Sequence, residues 1–309
     1  MNDVLGIHHV TVLCGPPARN IWFYTQVLGL RMVKRTVNFD DPKSWHFYYG
    51  DRTGRPGTLI TFFPHPGLRA GVRGAREVAA THFAVPAGAL GYWSDRLHRA
   101  GLDLSGESVG DAERLSFRDP DGTRLSVTET ERPAGSEAPE SPVPAGRAVT
   151  GISAVTTVVN RLDDSAVFLT DTLGFRTAGG AGGRAVFAAG AGGAIEVVES
   201  PAAPGPVLGA GSVHHVAWRV ADDAARDRVR AAAEGKVAAL TPTRDRGYFR
   251  SIYFREPGGV IFEVATDGPG FLVDEDEQTL GTALKLPPQF EPRRAEIEAA
   301  LPPVEDGGP

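Results

Sequence analysis

Residues 6–11 read GIHHVT and residues 212–217 read SVHHVA, so two pairs of adjacent histidines stand in similar settings at opposite ends of a chain of 309 residues. A single carboxylate, Glu263, follows inside the apolar run 260–264 (VIFEV). Short apolar runs of this kind predict buried strands. Ionisable side chains are costly to bury without partners, so two histidines and one carboxylate on such strands indicate a shared cation.

The chain repeats the segment that begins with the first of these strands. The matching pieces are GI at 6–7 with GI at 151–152, and LGL at 28–30 with LGF at 173–175. Between them, residues 18–27 and 163–172 carry apolar side chains at helical spacing. Each copy therefore predicts a strand followed by a helix.

A second type of repeat is interleaved with the first. The matching pieces are THFAV at 81–85 with HHVAW at 214–218, and FRDPDG at 117–122 with FREPGG at 254–259. The latter pair predicts tight turns between apolar strands, since proline comes early and glycine late. We therefore predict an α+β fold of four modules, each with a strand, a helix and about three further strands (βαβββ).

The modules divide into two tandem halves, residues 1–130 and residues 149–267. Residues 131–148 between them are rich in proline, alanine, glycine and glutamate and lack periodicity, which is typical of a linker. Residues 268–309 form a C-terminal tail that includes a short predicted helix.

The modules differ in the ligands that they can offer on their first and last strands. Module 1 offers His9 and no carboxylate, whereas module 4 offers both His215 and Glu263. Module 3 has Ala154 where module 1 has His9, and module 2 has Ser126 where module 4 has Glu263. A complete set of two histidines and one carboxylate therefore requires modules 1 and 4 to pair around one cup.

The complementary pairing of modules 2 and 3 gives a poorer set. It collects His82 on the first strand of module 2, and Glu196 in module 3 is its only carboxylate. This second cup is predicted to have lost its metal.

Only one histidine of each pair can point directly into the cup, because side chains alternate between the two faces of a strand. Matching to module 2 favours the second of each pair, His9 and His215. Thr11 then faces the same way as His9. His8 and His214 are predicted to lie beside the ligands.

The pattern resembles the vicinal oxygen chelate superfamily of paired βαβββ modules, and within it the ring-cleaving dioxygenases that open hydroquinones and chlorohydroquinones. The matching segments, 6–11, 37–42, 48–51, 57–64 and 284–288, are spread over nearly the whole chain. The resemblance implies that the first and last modules pair. It also implies that Arg246 and Tyr253 contact the substrate.

Three ligands on one face of an octahedron leave about three positions open, which suits a diol together with dioxygen. A structural zinc site is instead closed by four protein ligands. Fe(II) fits because it can pass electron density from a bound phenolate to O2, and Mn(II), with similar geometry, stays an alternative. We predict a ring-cleaving dioxygenase that acts on a small hydroquinone-type aromatic diol.

Ring cleavage also requires proton transfer within the cup. His214 is the first candidate for the acid–base group and His8 the second, because unperturbed histidines titrate near neutrality. Tyr253 could place its hydroxyl over the bound substrate oxygen, and Arg246 is predicted at the lip of the same hairpin.

Composition narrows the setting of this chemistry. The formal net charge of −6 gives no sign of a nucleic-acid surface. Cys14 is the only cysteine, which fits a reducing compartment. Neither a signal peptide nor a membrane span is apparent. A cytoplasmic protein is expected, and a homo-oligomer is compatible with the sequence.

Three other functions stay open within the same fold. A glyoxalase-type isomerase uses four protein ligands, and the last strand of module 1 offers no fourth. A catechol extradiol dioxygenase usually takes its ligands from modules 3 and 4, which Ala154 prevents. A metal-free protein that binds aromatic compounds would need no triad at all.

Overall fold

The computed structural model describes residues 3–109, 112–131 and 137–304. Modules 1 and 2 each contain a strand, a helix and three further strands. Module 1 consists of β1 (Val4–Cys14), α1 (Pro17–Trp22) with a π-helical turn (Phe23–Val27), β2 (Arg31–Asn38), β3 (Asp41–Gly50) and β4 (Leu59–Pro64). Module 2 consists of β5 (Glu77–Pro86), α2 (Leu90–Arg99), β6 (Ser105–Val109), β7 (Ala112–Arg118) and β8 (Arg124–Thr130).

Modules 3 and 4 repeat this order. Module 3 consists of β9 (Gly151–Val159), α3 (Leu162–Val167) with a π-helical turn (Phe168–Thr172), β10 (Arg176–Ala181), β11 (Arg184–Ala188) and β12 (Ala194–Glu199). Module 4 consists of β13 (Val213–Val220), α4 (Asp223–Ala233), β14 (Arg244–Asp245), β15 (Arg250–Arg255) and β16 (Ile261–Thr266). The tail has 3-10 turns (Phe271–Val273, Glu277–Thr279, Glu291–Arg293) and α5 (Arg294–Ala300).

The strands form two curled sheets of eight strands each. The first sheet has the order β14-β15-β16-β13-β1-β4-β3-β2, and the second has the order β10-β11-β12-β9-β5-β8-β7-β6. Each sheet therefore takes one module from each half of the sequence. Modules 1 and 4 share the first sheet and modules 2 and 3 the second, which confirms the predicted α+β fold and module pairing.

The central strands are buried on both faces, which explains why they appear as continuous apolar runs in the sequence. Val10 and Val12 of β1 are fully buried and belong to the same hydrophobic core as the helix residue Tyr24. The ring of Tyr24 packs 4.4 Å from that of Phe62 on β4. The alternate side chains of β1, among them His9 and Thr11, line the concave side of the sheet.

The antiparallel pairing of β1 with β13 is interrupted by β-bulges. The register skips His8 in β1 and His214 in β13, so each of these histidines is an extra residue that the partner strand does not match. A bulge locally breaks the alternation of side chains and re-aims them. The simple alternation used to assign faces from the sequence therefore does not hold at either histidine pair.

The segments outside the modules pack against module 1. Val143, in the predicted linker, is buried, whereas residues 132–136 of that segment lie outside the described part of the chain. In the tail, Leu286, Ile297 and Leu301 form a small hydrophobic cluster with Val37 of β2. Within the described residues, none of the helices is both long and apolar enough to cross a lipid bilayer.

Candidate metal centre

Three neighbouring strands bring His9, His215 and Glu263 together on the concave side of the first sheet, here named the first cup. His9 lies opposite Ala217 in the register of β1 with β13, and Ala217 lies beside Glu263 in the register of β13 with β16. His215 is two residues from Ala217, so it faces the same side. All three ionisable side chains are buried.

The three donor atoms have the spacing of ligands around one ion. His215 Nε2 lies 2.9 Å and His9 Nε2 lies 3.1 Å from Glu263 Oε2, and the two Nε2 atoms are 3.3 Å apart. Ligands about 2.1 Å from an octahedral metal are about 3.0 Å apart when they are adjacent. Among the described residues, these form the one cluster of three or more such side chains.

The charge of Glu263 is not satisfied by hydrogen bonds. Neither carboxylate oxygen accepts a hydrogen bond from the described residues, although the side chain is fully buried. Burial alone would raise the pKa of Glu263, but the positive charge that His9 and His215 carry when they are protonated holds it well below the usual value. Burial lowers the pKa of His215. An ionised carboxylate and a neutral imidazole are the forms that bind a divalent metal, so the residues fit a metal site.

Hydrogen bonds behind His9 define which of its nitrogens faces the other ligands. The carbonyl of Thr266 can only accept, so His8 donates to it from Nε2 over 3.2 Å. Burial, followed by the effect of His9, lowers the pKa of His8 to about 3. His8 is therefore neutral, and its Nδ1 accepts from Nδ1–H of His9 over 2.9 Å. In the neutral form of His9 the lone pair is then on Nε2, which is the tautomer that a metal requires.

The second histidine pair repeats this arrangement. His214 Nδ1 lies 2.8 Å from His215 Nδ1. Burial, followed by the effect of His215, lowers the pKa of His214 to about 3. A neutral His214 can accept the Nδ1–H of His215, which again leaves the lone pair on Nε2. The two bulges are what place the first histidine of each pair within reach of the second.

An arginine and a tyrosine form one wall of the first cup. Tyr253 lies opposite Glu263 in the register of β15 with β16, and its ring meets that of His215 edge-on at 5.5 Å. Arg246 donates from Nε to Tyr253 Oη over 3.2 Å and lies 3.1 Å from Asp40 Oδ2. Burial raises the pKa of Tyr253, so its phenol stays protonated and can donate.

The opposite wall carries a chain of hydrogen-bonded polar groups. Tyr48 lies 3.0 Å from Nδ1 of His46, and Nε2 of His46 lies 3.0 Å from the hydroxyl of Thr61. Thr61 in turn lies 2.8 Å from the hydroxyl of Thr11. Phe249 packs its ring 5.2 Å from that of His9. These contacts hold the side chains at the mouth of the cup in fixed positions.

The structure brings most of the predicted site residues to one cavity of about 290 Å³. The predicted residues that line it are His9, Thr11, His214, His215, Arg246 and Tyr253. Glu263 lies against the two ligand histidines at its base, and His8 lies behind His9. Thr61, Phe249 and Asp40 also contact the site and were not among the predicted residues. Thr61 faces Thr11 where β4 runs parallel to β1, and this register is apparent only in the structure.

The second cup lies on the concave side of the second sheet, at the position that corresponds to the first cup. Its polar side chains pair with one another instead of converging as metal ligands. His82 lies 2.7 Å from the hydroxyl of Ser126 through Nδ1 and 2.7 Å from that of Thr156 through Nε2. Arg114 forms a buried ion pair with Glu196, in which Nη2 lies 2.5 Å from Oε1. Burial, followed by the effect of Arg114, lowers the pKa of His82 to about 3.

Because His82 is neutral in the folded protein, we expect acid to lower the stability of the fold. The unfolded chain binds a proton at His82 below about pH 6.5 while the folded protein does not, so stability falls from there towards pH 3. One proton corresponds to about 1.4 kcal/mol per pH unit. We expect His82→Gln to reduce this slope in urea denaturation at pH 7, 6 and 5. The exposed His98→Gln is the control, and equal slopes in both variants would contradict the prediction.

Comparison with known proteins places the chain in a family. A family model described as the Glyoxalase/Bleomycin resistance protein/Dioxygenase superfamily matches residues 6–127 and 151–264. The chain belongs to this superfamily, which confirms the resemblance seen in the sequence. The structure of glyoxalase I from Zea mays is only 15% identical in sequence. It superimposes over 85% of this chain and 92% of the glyoxalase chain with a TM-score of 0.61, so the two proteins share the fold.

Closer relatives define the type of enzyme. MhqO of Bacillus subtilis strain 168, named as a ring-cleaving dioxygenase, is 40% identical over 303 residues, 97% of each chain. A chlorohydroquinone/hydroquinone 1,2-dioxygenase of Sphingobium indicum is 34% identical over 95% of each chain. A crystal structure of a Bacillus subtilis protein named as a dioxygenase is 39% identical and covers all of both chains with a TM-score of 0.94. The protein is an enzyme of the ring-cleaving dioxygenase type.

Proposed function

We propose that this enzyme opens the ring of a hydroquinone-type aromatic diol with O2, using Fe(II) held by His9, His215 and Glu263. The observation that carries the proposal is the convergence of three buried donor atoms, 2.9 to 3.3 Å apart, with no hydrogen bond to the carboxylate from the described residues. The relative from Sphingobium indicum, whose name states this activity, supports the choice of substrate class.

When bound there, Fe(II) would supply open coordination positions for the diol and dioxygen and a redox route between them. The protein contributes orientation and charge. His8 and His214 fix the tautomers of the two ligand histidines. We assign His8 to this orienting role alone, since both of its ring nitrogens are engaged. His214 lines the cavity and stays the candidate for proton transfer by its position. Burial lowers its pKa to about 3, so the pKa near neutrality for which it was chosen does not hold.

Tyr253 and Arg246 are suited to hold the oxygen of a phenolic substrate. The protonated phenol of Tyr253 donates one hydrogen bond, and the guanidinium of Arg246 stabilises negative charge on the oxygen as the hydroxyl loses its proton. Asp40 lies 3.1 Å from Arg246 NH2 and thereby limits the movement of that side chain. The aromatic side chains Phe249 and Tyr48 give the cavity apolar surface for a ring.

The substrate contact of Tyr253 gives a direct prediction. Tyr253→Phe removes a hydrogen bond to a charged group and keeps the ring against His215, so we expect kcat/KM to fall by roughly 10- to 100-fold with metal content unchanged. Steady-state O2 uptake at saturating Fe(II) measures the effect. Tyr92→Phe on α2 is the matched control. Full activity of Tyr253→Phe would remove this residue from the site.

The proposed function is tested by anaerobic purification, metal analysis and reconstitution with Fe(II) or Mn(II), followed by oxygen-electrode assays. We expect O2 uptake with hydroquinone and chlorohydroquinones and much less with catechol. Preferred cleavage of catechol would favour the extradiol alternative. Turnover of methylglyoxal with a thiol under Ni(II) or Zn(II), without O2 uptake, would favour the isomerase. A protein that retains no metal would favour an aromatic-binding function.

A further inference from the structure

The second cup contains a cavity of about 730 Å³, compared with about 290 Å³ in the first cup. Small side chains stand at two positions that hold larger ones in the first cup. Ser126 lies opposite Ser116 on β8 and β7, just as Glu263 lies opposite Tyr253 on β16 and β15. Two serines therefore stand at positions that hold the carboxylate ligand and the substrate-facing phenol in the first cup. Among the residues that the structure describes, the second cup therefore lacks a converging set of metal ligands, and its cavity is larger than that of the first.

The base of this cavity is polar but electrically balanced. Arg114 pairs with Glu196, and Thr156 donates to Glu196 Oε2 over 2.9 Å. His82 is held between two hydroxyls in its neutral form. Within the described part of the chain, Nε of Arg114 is buried and has no hydrogen-bond partner. Arg114 is itself a lining residue with a relative exposure of 7%, so the cavity has a buried donor that is not satisfied.

The walls and the rim of the cavity differ in character. The walls include apolar side chains, among them Leu102, Leu104, Phe117, Leu125, Val158 and Val198. The rim carries three exposed arginines, Arg118, Arg124 and Arg184, against two acidic lining residues, Asp103 and Glu107. Arg124 and Arg184 form no ion pair with any described residue. An apolar chamber with an excess of free cations at its mouth suits an anion that has an apolar body.

We propose that the second cup is a second binding site, specific for a small organic carboxylate with an apolar body. The carboxylate is held by the exposed arginines at the rim, while the body lies between the apolar walls. The charge of Glu196 is already neutralised by Arg114, so the base does not repel the anion. This proposal does not depend on the metal or the substrate of the first cup.

Isothermal titration calorimetry of the full-length protein with three probes tests the proposal. Benzoate combines a carboxylate with an apolar ring, acetate keeps the charge without the ring, and benzamide keeps the ring without the charge. We expect one benzoate per chain, with acetate and benzamide binding at least about tenfold more weakly. Equal binding of benzamide and benzoate, or no binding of benzoate, would overturn the proposal.

Variants locate the site. Ser116→Tyr places in the second cup the side chain found at the matching position of the first, and it should weaken benzoate binding by at least about tenfold. The double variant Arg124→Gln/Arg184→Gln changes only exposed side chains and should weaken it by a similar factor even if Ser116→Tyr folds poorly. The exposed Arg176→Gln removes a positive charge outside the cavity and should bind as the wild type does.

The variant Glu263→Gln shows in which of the two cups benzoate binds. If benzoate binds in the second cup, its affinity is unchanged by this substitution. Loss of benzoate binding in Glu263→Gln, together with normal binding in the double arginine variant, would assign the anion to the first cup and refute the proposal.

Discussion

Glu263→Gln is expected to lose bound metal and, with it, ring-cleaving activity. The substitution keeps the size of the side chain but removes the only negative charge among the three proposed ligands, so two neutral imidazoles and a neutral amide would have to hold a divalent cation. Changes in residues that only support metal ligands already cost about 10- to 100-fold in affinity, so we expect more than about 100-fold here. Metal content after gel filtration and O2 uptake measure the two losses.

The second cup supplies a matched control for this experiment. Glu196 is also a buried carboxylate, on β12 of the second sheet, but it pairs with Arg114 instead of converging with two histidines. Glu196→Gln should therefore retain the metal of the first cup, although it loses an ion pair. A Glu263→Gln protein that keeps its metal and its activity would refute the metal site, whereas loss of metal in both variants would indicate a general loss of folding.

The pairing of modules could be predicted because it follows from an inventory of ligands. His9 lacks a carboxylate in its own module, and Glu263 is available only in the last one, so the chemistry itself requires the ends of the modular region to meet. This inference needs the order of the strands in each module but not their exact boundaries. It succeeds because a buried charge must find partners wherever they lie in the sequence.

The relation between the two histidines of each pair could not be predicted in the same way. Alternation along a strand predicts that His8 and His9 face opposite sides, and it treats a strand as regular. The bulges at His8 and His214 depend on the register between β1 and β13, which lie about two hundred residues apart in the chain. No local pattern in the sequence encodes that register, so the hydrogen bonds that set the tautomers were apparent only in the fold.

The contacts that hold the C-terminal tail could not be predicted from the sequence either. Lys34 lies in β2 between residues that read as an ordinary strand, and a lysine there would be expected to face solvent. In the structure its side chain is fully buried. Its ammonium group contacts the carboxylates of Asp274 and Glu275 and lies 3.3 Å from the carbonyl of Phe271. The partners come from the acidic segment 274–277 of the tail, and nothing near Lys34 in the sequence indicated that it would pair with them and be buried.

Lys34→Met is expected to destabilise the protein by about 3–5 kcal/mol, because it leaves the buried carboxylate of Glu275 without its cation. Urea denaturation at pH 7 measures the free energy of unfolding. The exposed Lys43→Met, in the neighbouring strand β3, is the matched control and should change it by less than about 0.5 kcal/mol. Limited proteolysis should also cut the tail of Lys34→Met faster than that of the control.

A second substitution can show whether Lys34→Met loses stability through the unpaired charge or through lost packing. If unpaired charge is responsible, adding Glu275→Gln to Lys34→Met should restore part of the stability, because the second change removes the uncompensated carboxylate. Glu275→Gln alone should cost less than Lys34→Met, since Asp274 still pairs with the lysine at 2.5 Å. Additive effects of the two substitutions, or a Lys34→Met protein within about 1 kcal/mol of the wild type, would show that the ion pair does not anchor the tail.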